Sequence, residues 1–513
     1  MTSFPSLPTS PGSSTIWTPV VLSILVTETA ERFAYYGLRG VLVLYFGALD
    51  YDEDTSIAFY AYMVSLAYAS PIIGALLADV SWGRYNTILR FGILYAIGLV
   101  ILTAGAFWEG SLYWQRFMTF LGLFFVSVGT GGIKPCVSAF GADQVVVNPK
   151  RPEDDDSECQ QSDDDRVREF FASFYFCINL GAVSSFAVVP ILRAHYGFGA
   201  AFLAPSICIA LAIIVFVSKR KAYRHHVPNR DGEGTIAKTG WLCLWLIRRR
   251  FSSSLPSCLS QPLRSPLAQQ DQGQVRDAAR ALQLLPVMAT FAMFWMLYDQ
   301  QGSVWTLQAA RMNLHGWQPE QLNLINPVEI MLLIPLFDRC VYPMAQARGW
   351  SISPLRRMGC GMVLAAVSFF VSGILESIIQ SREAQGQSKI SVLWQLPQIS
   401  ILAVGEILLS ITGLEWAYSV SPKHMKAFLM GVFLLTTAVG DFLGGVLYST
   451  LFRGVNRATS MHIFAVLMLC NLAGFVCISN KYAEQHDYEE VQELEMKTTP
   501  RSLGGSNDAD HTI

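Results

Sequence analysis

Acidic and basic side chains interrupt the first long apolar stretch of this chain. Glu28, Glu31 and Arg32 are spaced at i, i+3 and i+4, which places them on one helical face, and Arg39 lies further along that face. An ionisable residue inside an apolar span costs roughly 2.5–3.5 kcal/mol, so it persists where it meets a cavity, a partner or a ligand. A partly dehydrated carboxylate with a movable arginine partner can carry a proton. A static buried salt-bridge network is the alternative.

A lysine interrupts a second apolar stretch, in the glycine-rich sequence GTGGIKP at residues 129–135. An ammonium at this depth needs an anionic partner, which could be Glu28, Glu31 or the carboxylate of a ligand. Pro135 is expected to loosen the helix just after Lys134. Snorkelling of Lys134 to the membrane interface is the alternative.

Acidic residues predominate in the apolar stretches of the second half of the chain. Glu415, in ITGLEWAY at 411–418, has no cation near it in sequence and could meet an amine. The others are candidates for packing or gating: Asp299, Glu329, Glu406 and Asp441. Aromatic side chains accompany these charges and would make a tolerant pocket; they are Tyr35, Tyr36, Tyr68, Tyr175, Phe294, Trp295 and Trp416.

These residues together predict a bipolar pocket. Arg39 and Lys134 would form its positive pole, and Glu415 with amides such as Asn326 its negative pole. A zwitterion with a carboxylate and an amine a few bonds apart would span the two poles. A short peptide fits this pattern better than a sugar, a drug cation or nitrate.

Long apolar helices must position these residues. The chain has 513 residues, of which 52% are hydrophobic and only 15% charged, and its mean hydropathy is +0.36. A bilayer-spanning helix needs about 20 mostly apolar residues. About twelve such spans are predicted, at 18–46, 56–78, 87–107, 114–140, 169–192, 199–217, 284–310, 321–344, 356–379, 391–418, 426–452 and 458–479.

The distribution of lysine and arginine predicts that both termini are cytoplasmic. The 219–283 segment is rich in basic residues, whereas the first loop on the opposite side is acidic. We predict a disordered N-terminus (1–15), a six-helix bundle (16–218), a cytoplasmic basic linker (219–283), a second six-helix bundle (284–480) and a cytoplasmic tail (481–513). Residues 152–165 are expected to form a solvated acidic loop, and the tail to have only a short helical beginning. The linker contains either a surface helix at Trp241–Arg250 or a flexible tether. This is the layout of an all-α membrane protein with the major facilitator fold, in which substrate is held between the halves.

Several functional classes are excluded by composition. The 37 basic and 39 acidic residues give a net charge of −2, which argues against nucleic-acid binding. The ten cysteines form no CxxC pair, so a zinc site or a disulfide framework is not expected. No catalytic constellation or cofactor motif is present in the sequence, so neither enzymatic activity nor a cofactor is expected.

Five ordered motifs cover about residues 20 to 452: ETAERFAYYG (28–37), GALLADVSWGRYNTI (74–88), FYFCINLGA (174–182), FWMLYDQQGSVWTLQ (294–308) and LPQISILAVGEILLSITGLEWAYS (396–419). Together they resemble the proton-coupled oligopeptide transporter family, most closely its animal branch. The resemblance implies a symporter that uses protons as coupling ion to import di- and tripeptides, with peptide-like drugs as a further class. It implies a multi-pass protein of the plasma membrane, with an endosomal or vacuolar membrane left open.

The resemblance also implies residue roles. Glu28, Glu31 and Arg32 would couple protons. Arg39 and Lys134 would hold the peptide carboxylate or switch salt-bridge partners. Asn179, Asn326 and Glu415 would hold the peptide amine. Aromatic residues would line the side-chain pockets: Tyr35, Tyr36, Tyr68, Tyr175 and Trp295. Three charged residues would form the gates: Asp79, Arg84 and Asp299.

Four positions depart from the family pattern. Ala61 stands where animal members commonly carry a histidine important for proton handling, and Val304 where they usually carry arginine. Glu329 replaces a usually apolar residue, and 380–390 is a short loop where vertebrate members carry a large domain. A nitrate or amino-acid carrier, and a receptor that binds nutrients without transporting them, remain alternatives, although retention of the proton motif favours symport.

Overall fold

The computed structural model describes residues 17–146, 157–225, 272–349, 353–422 and 425–498, which are almost entirely helical. Six helices make up the first half: α1 (Pro19–Ala48), α2 (Glu53–Ala69), α3 (Pro71–Leu77), α4 (Gly83–Phe107), α5 (Leu112–Val145) and α6 (Ser157–Ser218). A π-helical turn at Ala78–Trp82 joins α3 to α4. Gly197 divides α6 in two, because its φ of 82° is in the left-handed region that favours glycine.

The second half is built from shorter helical pieces. These are α7 (Gln272–Ala289), α8 (Phe291–Tyr298), α9 (Val304–Ala310), α10 (Ile325–Leu336), α11 (Tyr342–Ala347), α12 (Pro354–Ala384), α13 (Leu396–Glu406), α14 (Thr412–Val420), α15 (Lys426–Ser449) and α16 (Arg457–Thr498). Short 3₁₀ or π turns interrupt the paths at Asp299–Gly302, Pro319–Leu324, Phe337–Val341, Val392–Gln395 and Ile407–Ile411. Such turns let a helix change direction inside the membrane.

Eight helical segments of the described residues are long and apolar enough to cross a bilayer. Two of them, Glu53–Phe107 and Asp165–Ser218, have 55 and 54 residues. Each is therefore long enough for two crossings, because about 20 residues suffice for one. The predicted first and eighth spans fall in α1 and in α10–α11 and are not among the eight. The multi-pass architecture is confirmed, while the count of twelve stays a prediction.

Two sequence-based expectations differ from the structure. Residues 152–165 were expected to form a solvated acidic loop, but α6 already begins at Ser157. Acidic residues in the first turns of a helix interact favourably with its dipole, which explains the earlier start. The tail was expected to have only a short helical beginning, yet α16 continues to Thr498. The N-terminus at 1–15 and a predicted surface helix at Trp241–Arg250 lie outside the described residues.

The helices pack mainly with neighbours of their own half. In the first half α1 packs along α6 and α4 along α5, and in the second half α12 packs along α16 and α13. Between the halves, α2 packs along α15. We call the two membrane faces by the ends of the first helix: the Pro19 side, where α1 begins, and the Ala48 side, where it ends.

Glycines allow the fourth span to approach its neighbours. A Cβ at Gly74 in α3 would lie 2.4 Å from the carbonyl oxygen of Gly132 in α5, and one at Gly132 would lie 2.3 Å from the ring of Phe91. These distances are too short for any side chain. The GTGG sequence before Lys134 is thus explained by helix packing, and α5 runs through Pro135 without a break.

Gly74→Ala should lower the free energy of unfolding by about 1–3 kcal/mol, because overpacking against rigid backbone forces helices apart. The measurement is the thermal unfolding midpoint of the purified protein. Gly431→Ala is the matched control, since a Cβ there meets no atom within 4 Å. Equal midpoints for the two variants would contradict this account of the packing.

Candidate functional site

A central cavity of about 220 Å³ lies between the two halves. Helices α1, α2 and α6 line it from the first half, and α8, α10, α13 and the turn at Asp299–Gly302 from the second. Its polar lining residues are Tyr36, Arg39, Tyr60, Tyr175, Asn179, Tyr298, Asp299, Gln301, Asn323, Asn326 and Glu406. Six residues predicted from sequence are among the lining: Tyr36, Arg39, Tyr175, Asn179, Asp299 and Asn326.

An ion pair closes the cavity towards the Ala48 side. The Arg39 guanidinium contacts Asp299 of the other half, and its Nε donates to the hydroxyl of Tyr60 at 2.6 Å. Arg39 and Asp299 are 8% and 5% exposed, so the pair is shielded from water. Asp299 was predicted as a gating residue, and Arg39 as a carboxylate ligand or a residue that switches salt-bridge partners. The structure brings the two together across the boundary between the halves.

A second layer of contacts joins the halves nearer the Ala48 surface. Arg193, just before the Gly197 break, pairs with the fully buried Glu320 and donates to the Gln318 side chain at 2.9 Å. Closer to the membrane middle, the Ser65 hydroxyl donates to the carbonyl of Ala438 at 2.7 Å. Sequence reasoning missed this layer, because the partners are more than a hundred residues apart.

The predicted proton-coupling residues form a compact cluster in the first half. Arg32 Nε lies 3.2 Å from a carboxylate oxygen of Glu28, and the guanidinium also contacts Glu31. The Thr130 hydroxyl of α5 donates to Glu31 at 2.6 Å. Glu28, Glu31 and Arg32 are 6%, 2% and 4% exposed. The i+4 geometry expected from the sequence is therefore present, and the cluster lies outside the lining of the central cavity.

Lys134 makes a contact that its sequence did not predict. Its Nζ lies 3.6 Å from the centroid of the Tyr68 ring, a cation–π arrangement. Among the described residues no carboxylate lies within 4 Å of that nitrogen. Glu31 influences Lys134 electrostatically, but Arg32 takes both carboxylates of the cluster as direct partners. The ammonium is thus held by an aromatic face and has no ion-pair partner in the described part of the chain.

Besides Asp299, the second half contributes the acidic residue Glu406 to the cavity lining. It accepts a hydrogen bond from the Asn326 amide at 3.2 Å and lies beside Tyr298. Glu415, which the sequence favoured, is exposed on α14 and is not among the lining residues. Tyr60 and Tyr298 are site residues that the sequence did not indicate, and Glu406 was expected only as a packing or gating residue. For Glu406 the signal was its charge within an apolar span, which does not reveal the face it occupies.

The predicted aromatic residues divide into two groups. Tyr36 and Tyr175 line the cavity, whereas Tyr35, Tyr68 and Trp295 lie behind the lining. Tyr35 packs edge-on against Tyr36 with 5.4 Å between ring centroids. Trp295 packs against Tyr298 at 5.6 Å. The second group therefore supports the side chains that touch the cavity.

The predicted gating residues Asp79 and Arg84 lie at the Pro19 side, where Arg84 pairs with Asp143 and not with Asp79. Arg84 at the start of α4 contacts Asp143 near the end of α5 and donates to the Ala139 carbonyl at 3.4 Å. Asp79 lies in the π turn before it and contributes only through its charge. Both named contacts lie within the first half, so they brace the third span against the fourth.

Glu320→Gln should loosen the closure at the Ala48 side. Removing one charge of a buried pair costs about 3–5 kcal/mol, because the partner is left uncompensated. The readout is labelling of Ala182→Cys, a cavity position, by an impermeant thiol reagent added on the Ala48 side. We expect labelling to be faster by more than about tenfold. The control is Glu383→Gln, which removes an exposed partner of Arg311 within the second half. Equal labelling rates in the two variants would show that the Arg193–Glu320 pair does not contribute to the closure.

Comparison with known proteins gives the family. A model described as "POT family" matches residues 85–464. Human solute carrier family 15 member 2 is 35% identical over 411 residues, covering 76% of this chain and 53% of the relative. Drosophila melanogaster peptide transporter family 1 is 36% identical over 374 residues, covering 69% and 47%. The chain thus spans about half the length of the curated relatives it matches.

A solved structure agrees with this result. The POT family transporter PepTSo superposes with a TM-score of 0.75 at 26% identity, over 91% of this chain and 99% of that one. The predicted all-α membrane fold of the major facilitator type is therefore confirmed. Family model, relatives and fold agree, and the chain belongs to the POT family.

Proposed function

We propose that this protein is a proton-coupled symporter that imports di- and tripeptides by alternating access. The observation that carries the proposal is the central cavity, which has a cation on one wall and a carboxylate on the other. Arg39 comes from the first half, and Glu406 with Asn326 from the second. A short peptide has the complementary charges at its two ends, so its binding would draw the halves together. Relatives named as peptide transporters support the same substrate class.

The negative pole of the site is assigned to Glu406. Its carboxylate is at the cavity wall and already accepts a hydrogen bond from Asn326, an arrangement that suits an ammonium donor. Arg39 supplies the positive pole, and Lys134, which lacks an ion-pair partner in the described residues, adds to it. Asn179, Tyr36 and Tyr175 are placed to contact the peptide backbone and side chains.

Proton coupling is assigned to the Glu28, Glu31 and Arg32 cluster. Arg32 contacts both carboxylates, so a proton on either one changes the pairing of the arginine. Tyr68 and Lys134 lie close enough to respond electrostatically. Protons are the coupling ion, and no cofactor takes part in the proposal.

The Ala48 side is assigned to the outside of the cell. The excess of lysine and arginine on the Pro19 side supports cytoplasmic termini. The ion pairs Arg39–Asp299 and Arg193–Glu320 then close the outer entrance, which corresponds to an inward-facing state. The plasma membrane is the proposed location, where import of peptides would serve the cell.

Uptake of a labelled dipeptide by purified protein in liposomes tests the proposal, with an inward proton gradient imposed or absent. We expect accumulation only with the gradient, and competition by unlabelled dipeptides but not by nitrate. Folding is checked by the thermal unfolding midpoint. If folded protein accumulates no peptide, another solute or a receptor role would replace the proposal, and a binding screen would separate those two.

Glu406→Gln should weaken binding of free-amine dipeptides by about 10–100-fold, because a charge-assisted hydrogen bond of about 1.5–3 kcal/mol is lost. N-acetylated dipeptides, which lack the ammonium, should change less than about threefold. Dissociation constants from calorimetry of the purified variants provide the measurement. Glu415→Gln is the matched control and should leave both ligands unaffected. Selective weakening by Glu415→Gln instead would return the amine-binding role to that residue.

A further inference from the structure

A second buried carboxyl group lies beside the outer ion pair. Asp441 is in the middle of α15 and is only 2% exposed. Its Oδ2 atom has no hydrogen-bond partner among the described residues. An unpaired carboxylate oxygen in an apolar span is costly. The residue therefore needs either a cation or a proton.

Another carboxyl group lies beside Asp441. Its side chain is within hydrogen-bonding reach of Asp299, which already contacts the Arg39 guanidinium. Arg39 acts on Asp441 electrostatically, and Tyr60 of α2 lies within range of all three charges. The other titratable groups that face Asp299 are Tyr35, Tyr68, Tyr298, Glu406 and Lys134. The immediate cluster thus contains two carboxyls and one guanidinium.

Charge balance indicates the state of this cluster. With both carboxyls ionised, closure of the outer side would bury a net negative charge, whereas with one proton the cluster is neutral. Two adjacent carboxylates in a dry site cannot both stay ionised without a large cost. A proton on Asp441 would also let its hydroxyl donate to Asp299 and would provide the missing hydrogen bond.

We propose that Asp441 takes up a proton, shared with Asp299, before the outer side closes and keeps it until the inner side opens. The proton joins the carboxylate from the outer solution while the cluster is still hydrated, and closure around Arg39 then traps it. No bond other than the O–H bond forms or breaks. Asp441 is in this view a second proton-binding residue, separate from the Glu28, Glu31 and Arg32 cluster.

The same cluster offers a route for release. Asp299 lines the central cavity, so the shared proton can pass through its carboxyl to the cavity water once the inner side is open. Loss of the proton leaves a net negative charge buried between the halves. That charge favours separation at the outer side, where water can solvate it, and thus the return of the empty carrier.

This inference rests on the proposed function and is tested with Asp441→Asn, which keeps the shape of the side chain but removes the need for a proton. In liposomes, the proton-to-peptide ratio from the reversal potential should fall by one, while counterflow exchange of peptide continues. The variant also has a pH signature. The labelling rate of Ala182→Cys from outside is divided at each pH by that of a free thiol, because the thiolate is the reacting form. This ratio should rise with pH in the parent chain, because deprotonation opens the outer side, and should be independent of pH in the variant.

Two further variants complete the test. Glu329→Gln removes an acidic group that accepts a hydrogen bond from Ser400 in the same half but lies outside the cluster, and should leave ratio and pH profile unchanged. Asp441→Glu should restore part of the pH dependence.

If the parent chain is proton-coupled and Asp441→Asn has the same ratio and profile, the inference is overturned while the proposed function stands. If the parent chain shows no proton-dependent uptake, the proposed function fails first. If Asp441→Asn does not fold, pH-dependent labelling in Asp441→Glu decides: a profile identical to that of the parent would contradict the inference, and a displaced profile would support it.

Discussion

The contact between Arg39 and Asp299 is the interaction on which the arrangement of the two halves depends. It joins charges from opposite halves in a site that water scarcely reaches. A buried ion pair of this kind is costly to assemble. Removing one partner costs still more, because the remaining charge would be left alone in an apolar span. Under the proposed function the pair is a two-state element: both partners are matched when the outer side is closed, and both must be hydrated when it opens.

The other polar groups of the cavity are arranged around this pair. The hydroxyl of Tyr60 accepts a hydrogen bond from Arg39 Nε and so fixes the direction of the guanidinium. The first half supplies Arg39 to the cavity lining, and the second half supplies Asp299 and Glu406. Under the proposed function, a ligand with opposite charges at its ends would bridge the halves, and a proton would alter the attraction between them.

Helix irregularities position these charges. The Asp299–Gly302 turn separates α8 from α9 and brings the Asp299 carboxyl to the cavity wall, and Gly302 leaves room for the hydroxyl of Tyr60, since a Cβ there would lie 2.0 Å from it. In the tenth span a π turn at Ile407–Ile411 follows Glu406 directly. Both irregularities occur where backbone groups are enclosed by protein, the setting in which a membrane helix can tolerate them.

The sequence by itself determined the membrane architecture, the family motifs and the charge cluster on α1. These follow from local rules: apolar length decides what crosses a bilayer, and i, i+3 and i+4 spacing decides what shares a helical face. Glu28, Glu31 and Arg32 were predictable together because one helix holds all three. Contacts between helices were not predictable in this way. Glu406 and Glu415 are nine residues apart, about two and a half turns in a regular α-helix, so they point in different directions, and only packing decides which one meets the cavity. The partners of Arg39, Lys134, Arg193 and Asp441 were likewise decided by the tertiary structure, because each depends on how separate helices are rotated and where glycines let them approach.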